Sequence, residues 1–476
     1  MDQNDQSTLP HRTLEYLRRG WSSITEAALV RITGNVRDDL PEEDQQRLAK
    51  QIDECLEGAG GDVSQRARAA DVGRTYLGLN DTGRRNFLEM LAREYGVHEY
   101  ELALAMDEWK KLFPDGDHLL RHKAEVKLRR LLVSPRIQLL SQFNTLPEGV
   151  KFLVDMRAEL VSLANRDPLF KPLEEDLRQL LASWFDVGFL ELQSITWNAP
   201  ASLLEKLAQY EAVHAVRHWS DIKNRMAADR RCYAFFHHKM PNEPIIYVWV
   251  ALVKGISDNV QALLDVRHRE VEEPNEADTA VFYSISNAQA GLKGISFGNF
   301  LIKRVVNALA QDFENLKTFV TLSPIPGFCP WLQQQLAEHG ADLLLKAERK
   351  ALDSVLNEPV EQAFPLMCKD HSLWYRKPER EKLIRGPLMR LCATYLSQAK
   401  RGSGVLDPVA HFHLSNGASM ERINWLADTS SKGFKQSAGM MINYLYKTSR
   451  IEKNHEAYSS AGNVQMSSGF KTLLKS

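Results

Sequence analysis

The chain changes texture once, near Arg231, and that change limits what it can fold into. Up to roughly Ala228, apolar residues recur at helical spacing. After Arg231 they gather into short runs rich in aromatic and β-branched residues, separated by glycine and proline turns. A chain of 476 residues is long enough for two or three domains, at about 100–200 residues each. With 44% hydrophobic and 25% charged residues, both parts can bury a core. The division therefore reads as an all-helical N-terminal domain followed by a mixed domain, an α+β chain. The boundary falls between Gly188 and Asn224, and the expected domains are 1–188 and 189–476.

In the first part, Asn80-Asp81-Thr82 offers capping side chains to a helix carrying Phe87, Leu88, Leu91 and Tyr95 on one face. Leu119, Val126, Leu128, Leu131 and Leu132 mark another helix, and Leu173, Leu177, Leu180, Leu181 and Trp184 a third. Such stripes are expected to be core or helix–helix contact. No catalytic signature occurs here, so a scaffold or oligomerisation role is expected.

In the second part, Cys232–Phe236 and Ile245–Val253 flank a turn-like segment and read as a hairpin. Thr279–Ser286 and Phe319–Leu322 read as strands, with a helix over Asn299–Phe313 between them. Ala410–Leu414 and Gly439–Tyr446 read as further strands. The tail from Tyr458, rich in serine and glycine, is expected to be loosely ordered.

Charge narrows the function. Lys+Arg number 60 against 61 Asp+Glu, which excludes a broad basic nucleic-acid surface but not a local anion site. The five cysteines are scattered and form no CxxC pair. Free thiols in a reducing compartment are expected, rather than a disulfide framework or structural zinc. No secretory signal opens the sequence, and the longest apolar run is too short to span a bilayer. The expected location is the cytoplasm, with no membrane association.

Three segments carry candidate chemistry. Gly291-Leu292-Lys293-Gly294-Ile295-Ser296-Phe297-Gly298 lies between a strand and a helix. Its backbone N–H groups, the helix end and Lys293 suit a pyrophosphate, although the spacing is neither a Rossmann nor a P-loop pattern. The same stretch contains GxSxG around Ser296, which would serve a hydrolase if it directly followed a strand; a glycine-bearing loop intervenes. Too few strands are recognisable for a hydrolase sheet. Ser323 follows the fourth strand in Ser323-Pro324-Ile325-Pro326-Gly327-Phe328, a turn stiffened by proline. His411-Phe412-His413, on a strand, would put both imidazoles on one face. A metal pair is one reading, but no partnering carboxylate or thiolate pattern accompanies it. A general acid or base is the other.

Taken together, RRCYAFFHH (Arg230–His238), FYSIS (Phe282–Ser286), GNFLIKRVV (Gly298–Val306), LSPIPGF (Leu322–Phe328), FHLSNGA (Phe412–Ala418), RINWLAD (Arg422–Asp428) and INYLY (Ile442–Tyr446) resemble the malonyl-CoA decarboxylase family. The resemblance implies a helical assembly domain joined to a catalytic domain with a GNAT acetyltransferase-like fold. It implies decarboxylation of malonyl-CoA to acetyl-CoA and CO2, through a thioester enolate protonated by a histidine. Ser323 and His413 match the family's catalytic pair, and Tyr446 and Ser284 match further active-site positions. Lys293, Gly294, Ser296, Gly298 and Asn299 match the CoA-binding segment. Animal members carry glutamate at the position of Ser296, so the GxSxG match is incidental and no glutamate role carries over. No metal or organic cofactor is implied, because the thioester is the electron sink. A homo-oligomer, a tetramer, is the implied assembly. An acyl-CoA-dependent N-acyltransferase and a GxSxG serine hydrolase are the competing readings.

Overall fold

The computed structural model describes Trp21 and residues 36–57, 61–113, 116–185, 187–265, 271–295, 301–353, 359–368 and 374–475. The chain divides into two compact units. The first comprises Met1–Phe189 with His237–Pro241 and Gln289–Ser296; the second comprises the rest.

The described part of the first unit is helical: α1 (Glu42–Leu56), α2 (Gly61–Gly78), α3 (Asp81–Glu94), α4 (Glu99–Leu112), α5 (His118–Leu131), α6 (Pro135–Phe143), α7 (Gly149–Ala164) and α8 (Lys171–Trp184). Asn80 caps α3, its side chain accepting the Gly83 N–H at 3.0 Å. Phe87, Leu88 and Leu91 are buried as expected, as are Leu173, Leu177 and Leu181 of α8. The α5 stripe departs from expectation. α4 and α5 pack as a hairpin whose buried residues are the small Ala105 and Ala124. Leu119 and Leu132 are left 60% and 58% exposed, so this stripe is not core within the single chain.

The second unit is built on an eight-stranded sheet of β1 (Leu190–Ile195), β2 (Arg230–His237), β3 (Ile246–Val253), β4 (Thr279–Asn287), β5 (Thr318–Thr321), β6 (Ser323–Pro324), β9 (Ser419–Asn424) and β10 (Met441–Leu445). A separate ribbon joins β7 (Lys400–Arg401) to β8 (Gly404–Val405). The main order is β1-β2-β3-β4-β5-β10-β6, with β9 also paired to β10. β2–β3 and β3–β4 are antiparallel, and β4–β5 is parallel. The sequence did not announce β1, β6 or β9, so the expectation of few strands is corrected. One sheet face packs Cys232, Tyr247, Trp249, Ala251, Val281 and Leu322 against Leu204, Leu207, Ile222 and Leu263.

Two irregularities shape this sheet. Trp249 pairs with Ser284 and Val250 with Phe282, which leaves Tyr283 as an extra residue in β4. The parallel pairing of β4 with β5 ends at Phe282 and Thr321, just before that bulge. Beyond it, β4 runs on while the neighbouring chain keeps only its pairing with β10, and a cleft opens. The second irregularity lies in β5–β6. Leu445 pairs with Val320 and Ile442 with Ser323, the same register on both sides of Leu322. The two are one strand briefly interrupted.

Three further expectations are corrected. Ala410–Leu414 is not a strand but part of a helix, Pro408–Ser415. Asp407 caps it and Pro408 occupies its first turn, a start signal that outweighs the β-like alternation of HFH. The tail is ordered. Gly462, at φ 63°, ends the helix Ile451–Ala461, and Ser467 caps the helix Ser468–Leu473. Gly462 and Ser467 are helix boundaries, and Ser459 and Ser460 lie within the first of these helices. Finally, Cys329 and Cys368 form a disulfide, with Cα atoms 6.1 Å apart, while Cys55, Cys232 and Cys392 are free and buried. Two cysteines separated by 39 residues in sequence carry no local signal of being neighbours.

Candidate active site

A cavity of about 230 Å³ occupies the cleft between β4 and β6. Its walls include Val213, Phe282, Tyr283, Ser284, Ile285, Asn287, Leu322, Ser323, Pro324, Pro408, Val409, Phe412 and His413. These residues are largely apolar, and no lysine or arginine is among them.

Ser323 stands in β6, held against Ile442 of β10, and is buried. It is thus part of the sheet rather than past its end. His413 comes from the helix Pro408–Ser415, at a spacing that points His411 elsewhere: the His411 Nδ1 lies 2.8 Å from the Tyr458 hydroxyl. His413 Nε2 lies 3.0 Å from Ser323 Oγ, and its Nδ1 lies 2.8 Å from the Tyr446 hydroxyl. The imidazole also stacks on Tyr444, with ring centres 4.5 Å apart. Residues separated by 90 and 33 positions in sequence therefore form one contiguous row.

Burial sets the protonation of this row. It lowers the His413 pKa from 6.5 to about 3 and raises that of Tyr446 well above 10. At neutral pH both are uncharged. The neutral ring has one N–H and one acceptor nitrogen, and it uses both.

The serine proton goes elsewhere. Ser323 Oγ donates to Thr321 Oγ1 at 2.9 Å, and that oxygen also accepts the Tyr444 N–H at 3.1 Å. Thr321 lies two residues before Ser323, hence on the same face of the strand. The interruption at Leu322 makes this possible. The Thr321 carbonyl is taken by the Asn443 side chain at 2.7 Å, which leaves the Tyr444 N–H for the hydroxyl.

Ser284 reaches the same cavity from β4. Its hydroxyl donates to the carboxylate of Glu211, at 2.8 and 3.0 Å to the two oxygens. Glu211 is buried, paired with Arg225 at 3.2 Å, and accepts the N–H groups of Val213 and His214. It therefore fixes both Ser284 and the loop that brings Val213 to the cavity wall. Asp407 is the second buried carboxylate near the site. One oxygen caps the helix of His413 through Val409 N and Ala410 N, and the other accepts from the Tyr395 hydroxyl at 3.1 Å. Burial raises its pKa despite these bonds.

The remaining candidates divide. Ser323, His413, Tyr446 and Ser284 meet in the second unit. Lys293 and Gly294 are exposed in a turn of the first unit, where Gly294 has φ 77° and the carbonyls of Gly291 and Lys293 accept from Arg157. Ser296, Gly298 and Asn299, and with them the serine of GxSxG, lie outside the described residues. Among the described residues no cluster of three or more metal-ligating side chains occurs, and no helix is long and apolar enough to cross a membrane. Sequence reasoning missed Glu211, Thr321 and Asp407. Strand alternation two residues before Ser323 pointed to Thr321, and the Asp-Pro helix start pointed to Asp407. Nothing local marked Glu211.

Comparison with known proteins gives a consistent result. Residues 188–476 match the model of the malonyl-CoA decarboxylase C-terminal domain, and residues 95–185 that of the N-terminal domain. The chain is 38% identical over 415 residues to a malonyl-CoA decarboxylase, mitochondrial, of Anser anser anser, covering 84% of this chain and 82% of that protein. It is 37% identical over 421 residues to the Mus musculus protein of the same name, covering 86% and 85%. Among solved structures, malonyl-CoA decarboxylase from Rhodopseudomonas palustris aligns with a TM-score of 0.81 at 37% identity, over 90% of this chain and 99% of that one. The Agrobacterium vitis structure aligns at 0.77 and 36%, with the same coverage.

Proposed function

The chain belongs to the malonyl-CoA decarboxylase family, and from that premise we propose that Ser323, His413 and Tyr446 form the centre where malonyl-CoA loses CO2. The chain is an enzyme of this family, acting on malonyl-CoA. The observation that carries the assignment is the hydrogen-bonded row Tyr446–His413–Ser323 opening on an apolar cavity.

The chemistry follows from the groups present. Decarboxylation breaks the bond between the carboxylate and the methylene carbon, and its electron pair passes into the thioester as an enolate. A cation beside the carboxylate would stabilise the ground state more than the transition state, in which that charge moves away. Among the described residues of the cavity wall there is no Lys or Arg, which suits this requirement. His413 and the neutral walls around Ser323 orient the carboxylate so that the breaking bond lies out of the thioester plane. The enolate carbon then takes a proton from the His413–Ser323 pair. Because His413 is neutral, the acid is an imidazole N–H, and Tyr446 donating to Nδ1 offsets the charge left on the ring. Solvent restores the proton after product leaves.

The bulge at Tyr283 and the parting of β4 from β5 support the GNAT-like reading of this unit. The CoA-binding roles of Lys293, Gly294, Ser296, Gly298 and Asn299 rest on the sequence resemblance. The exposed α4–α5 residues support self-association through the helical unit. The test is direct: supply purified protein with malonyl-CoA and follow CO2 and acetyl-CoA. Turnover is expected, with a loss of at least about 100-fold in Ser323→Ala and in His413→Ala. Full activity in both variants would sink the assignment.

A further inference from the structure

We propose that Thr321 sets the tautomer of His413 by holding the proton of Ser323, an inference that rests on the Ser323–His413 reading of the site. Thr321 is completely buried. Its hydroxyl oxygen accepts two hydrogen bonds, from the Tyr444 N–H at 3.1 Å and from Ser323 Oγ at 2.9 Å. A backbone N–H can only donate, so it permanently fills one acceptor site of that oxygen; the serine proton takes the other, and the threonine's own proton is directed away from Ser323.

The consequences pass along the row. Ser323 has one proton, and it is committed to Thr321. Toward His413 Nε2, 3.0 Å away, the serine oxygen can then only accept. The single proton of the neutral imidazole must therefore sit on Nε2. Nδ1 is left as an acceptor, and the Tyr446 hydroxyl at 2.8 Å must donate to it. All three bonds run one way: Tyr446 to His413, His413 to Ser323, Ser323 to Thr321.

The opposite arrangement is disabling. If Ser323 donated to Nε2, the ring proton would move to Nδ1 and face Tyr446, away from the cavity. No imidazole N–H would then stand on the side of the serine. Thr321 touches no reacting atom in this scheme. It is a positioning residue that acts by keeping the acidic N–H on the ring nitrogen nearest the substrate. Its hydroxyl is free for this because the strand is interrupted at Leu322, where Asn443 takes the Thr321 carbonyl.

The test uses the full-length protein with histidine labelled by 15N. Long-range 15N–1H spectra distinguish the two neutral tautomers, and His413→Gln assigns the signal. The wild type is expected to show His413 protonated on Nε2. In Thr321→Val, nearly the same shape without the acceptor, protonation is expected to shift to Nδ1. The same variant is expected to lose about tenfold or more in kcat, with KM for malonyl-CoA changed by less than about twofold. Thr321→Ser is expected to restore both the tautomer and the rate. An unchanged Nε2–H signal in Thr321→Val, or failure of the serine variant to restore it, overturns the proposal. Full activity in Ser323→Ala overturns the reading of the site beneath it, whichever tautomer the spectra show.

Discussion

Gly327 lies beside the carboxylate of Asp407, and its backbone N–H favours the charged form. Gly327 closes the turn that follows Ser323, and Asp407 opens the helix that carries His413. One buried carboxylate thus links the two segments that supply Ser323 and His413. A Cβ on Gly327 would strike the Tyr395 hydroxyl, which itself bonds Asp407. Asp407→Asn keeps an oxygen to cap the helix but turns an NH2 group toward the Gly327 N–H and the Tyr395 hydroxyl. Chemical denaturation is expected to show a loss of about 1–3 kcal/mol, the usual cost of an unmatched buried donor. Steady-state assays are expected to show kcat reduced by about tenfold or more, as Ser323 and His413 drift out of register. Wild-type kcat in this variant would rule out the link.

Acid should destabilise the fold well before carboxylates titrate. Burial lowers the pKa of His413 from 6.5 to about 3, and those of His214 and His237 to about 4. Below pH ~6.5 the unfolded chain binds protons at these positions that the folded chain refuses. Their contribution is therefore complete above that pH and is lost progressively toward pH 4 and 3. Urea midpoints should fall from pH 7.5 to pH 5, and less steeply in His413→Gln. A midpoint constant over that range would contradict the burial argument.

α4 and α5, with the residues that end them, expose Tyr100, Phe113, Leu119 and Leu132, each at more than half of its surface. Each leucine buried in an interface contributes about 1.5–3 kcal/mol. If the helical unit mediates self-association, Leu119→Glu with Leu132→Glu should reduce the mass seen by light scattering toward the 54.2 kDa of one chain. An assembly unchanged by both charges would place the interface elsewhere.

The Cys329–Cys368 bond predicts three titratable thiols, not five, in protein denatured without reductant. Closing a loop of this length is expected to contribute about 4 kcal/mol through the unfolded state. Reduction should lower the denaturation midpoint accordingly. Five free thiols would show the pair to be reduced in solution.

The linear chain was enough to divide the protein into a helical part and a mixed α/β part, because side-chain periodicity is local and survives in any tertiary setting. It also carried the short motifs around Ser323, His413 and Tyr446, since turn chemistry and reactive groups are written in consecutive residues. It misjudged elements where two local signals competed. HFH alternates like a strand, yet Asp407 and Pro408 start a helix there, and the helix is what turns His413 away from His411. The α5 stripe has the spacing of a core helix, but periodicity cannot say what a face will meet. The proton inventory of the site came from folding alone. Glu211 meets Ser284 across 73 residues, and His413 meets Ser323 across 90. Charge states here follow from burial, and proton positions from which neighbour can only donate. Both are properties of enclosure, which a linear sequence does not contain.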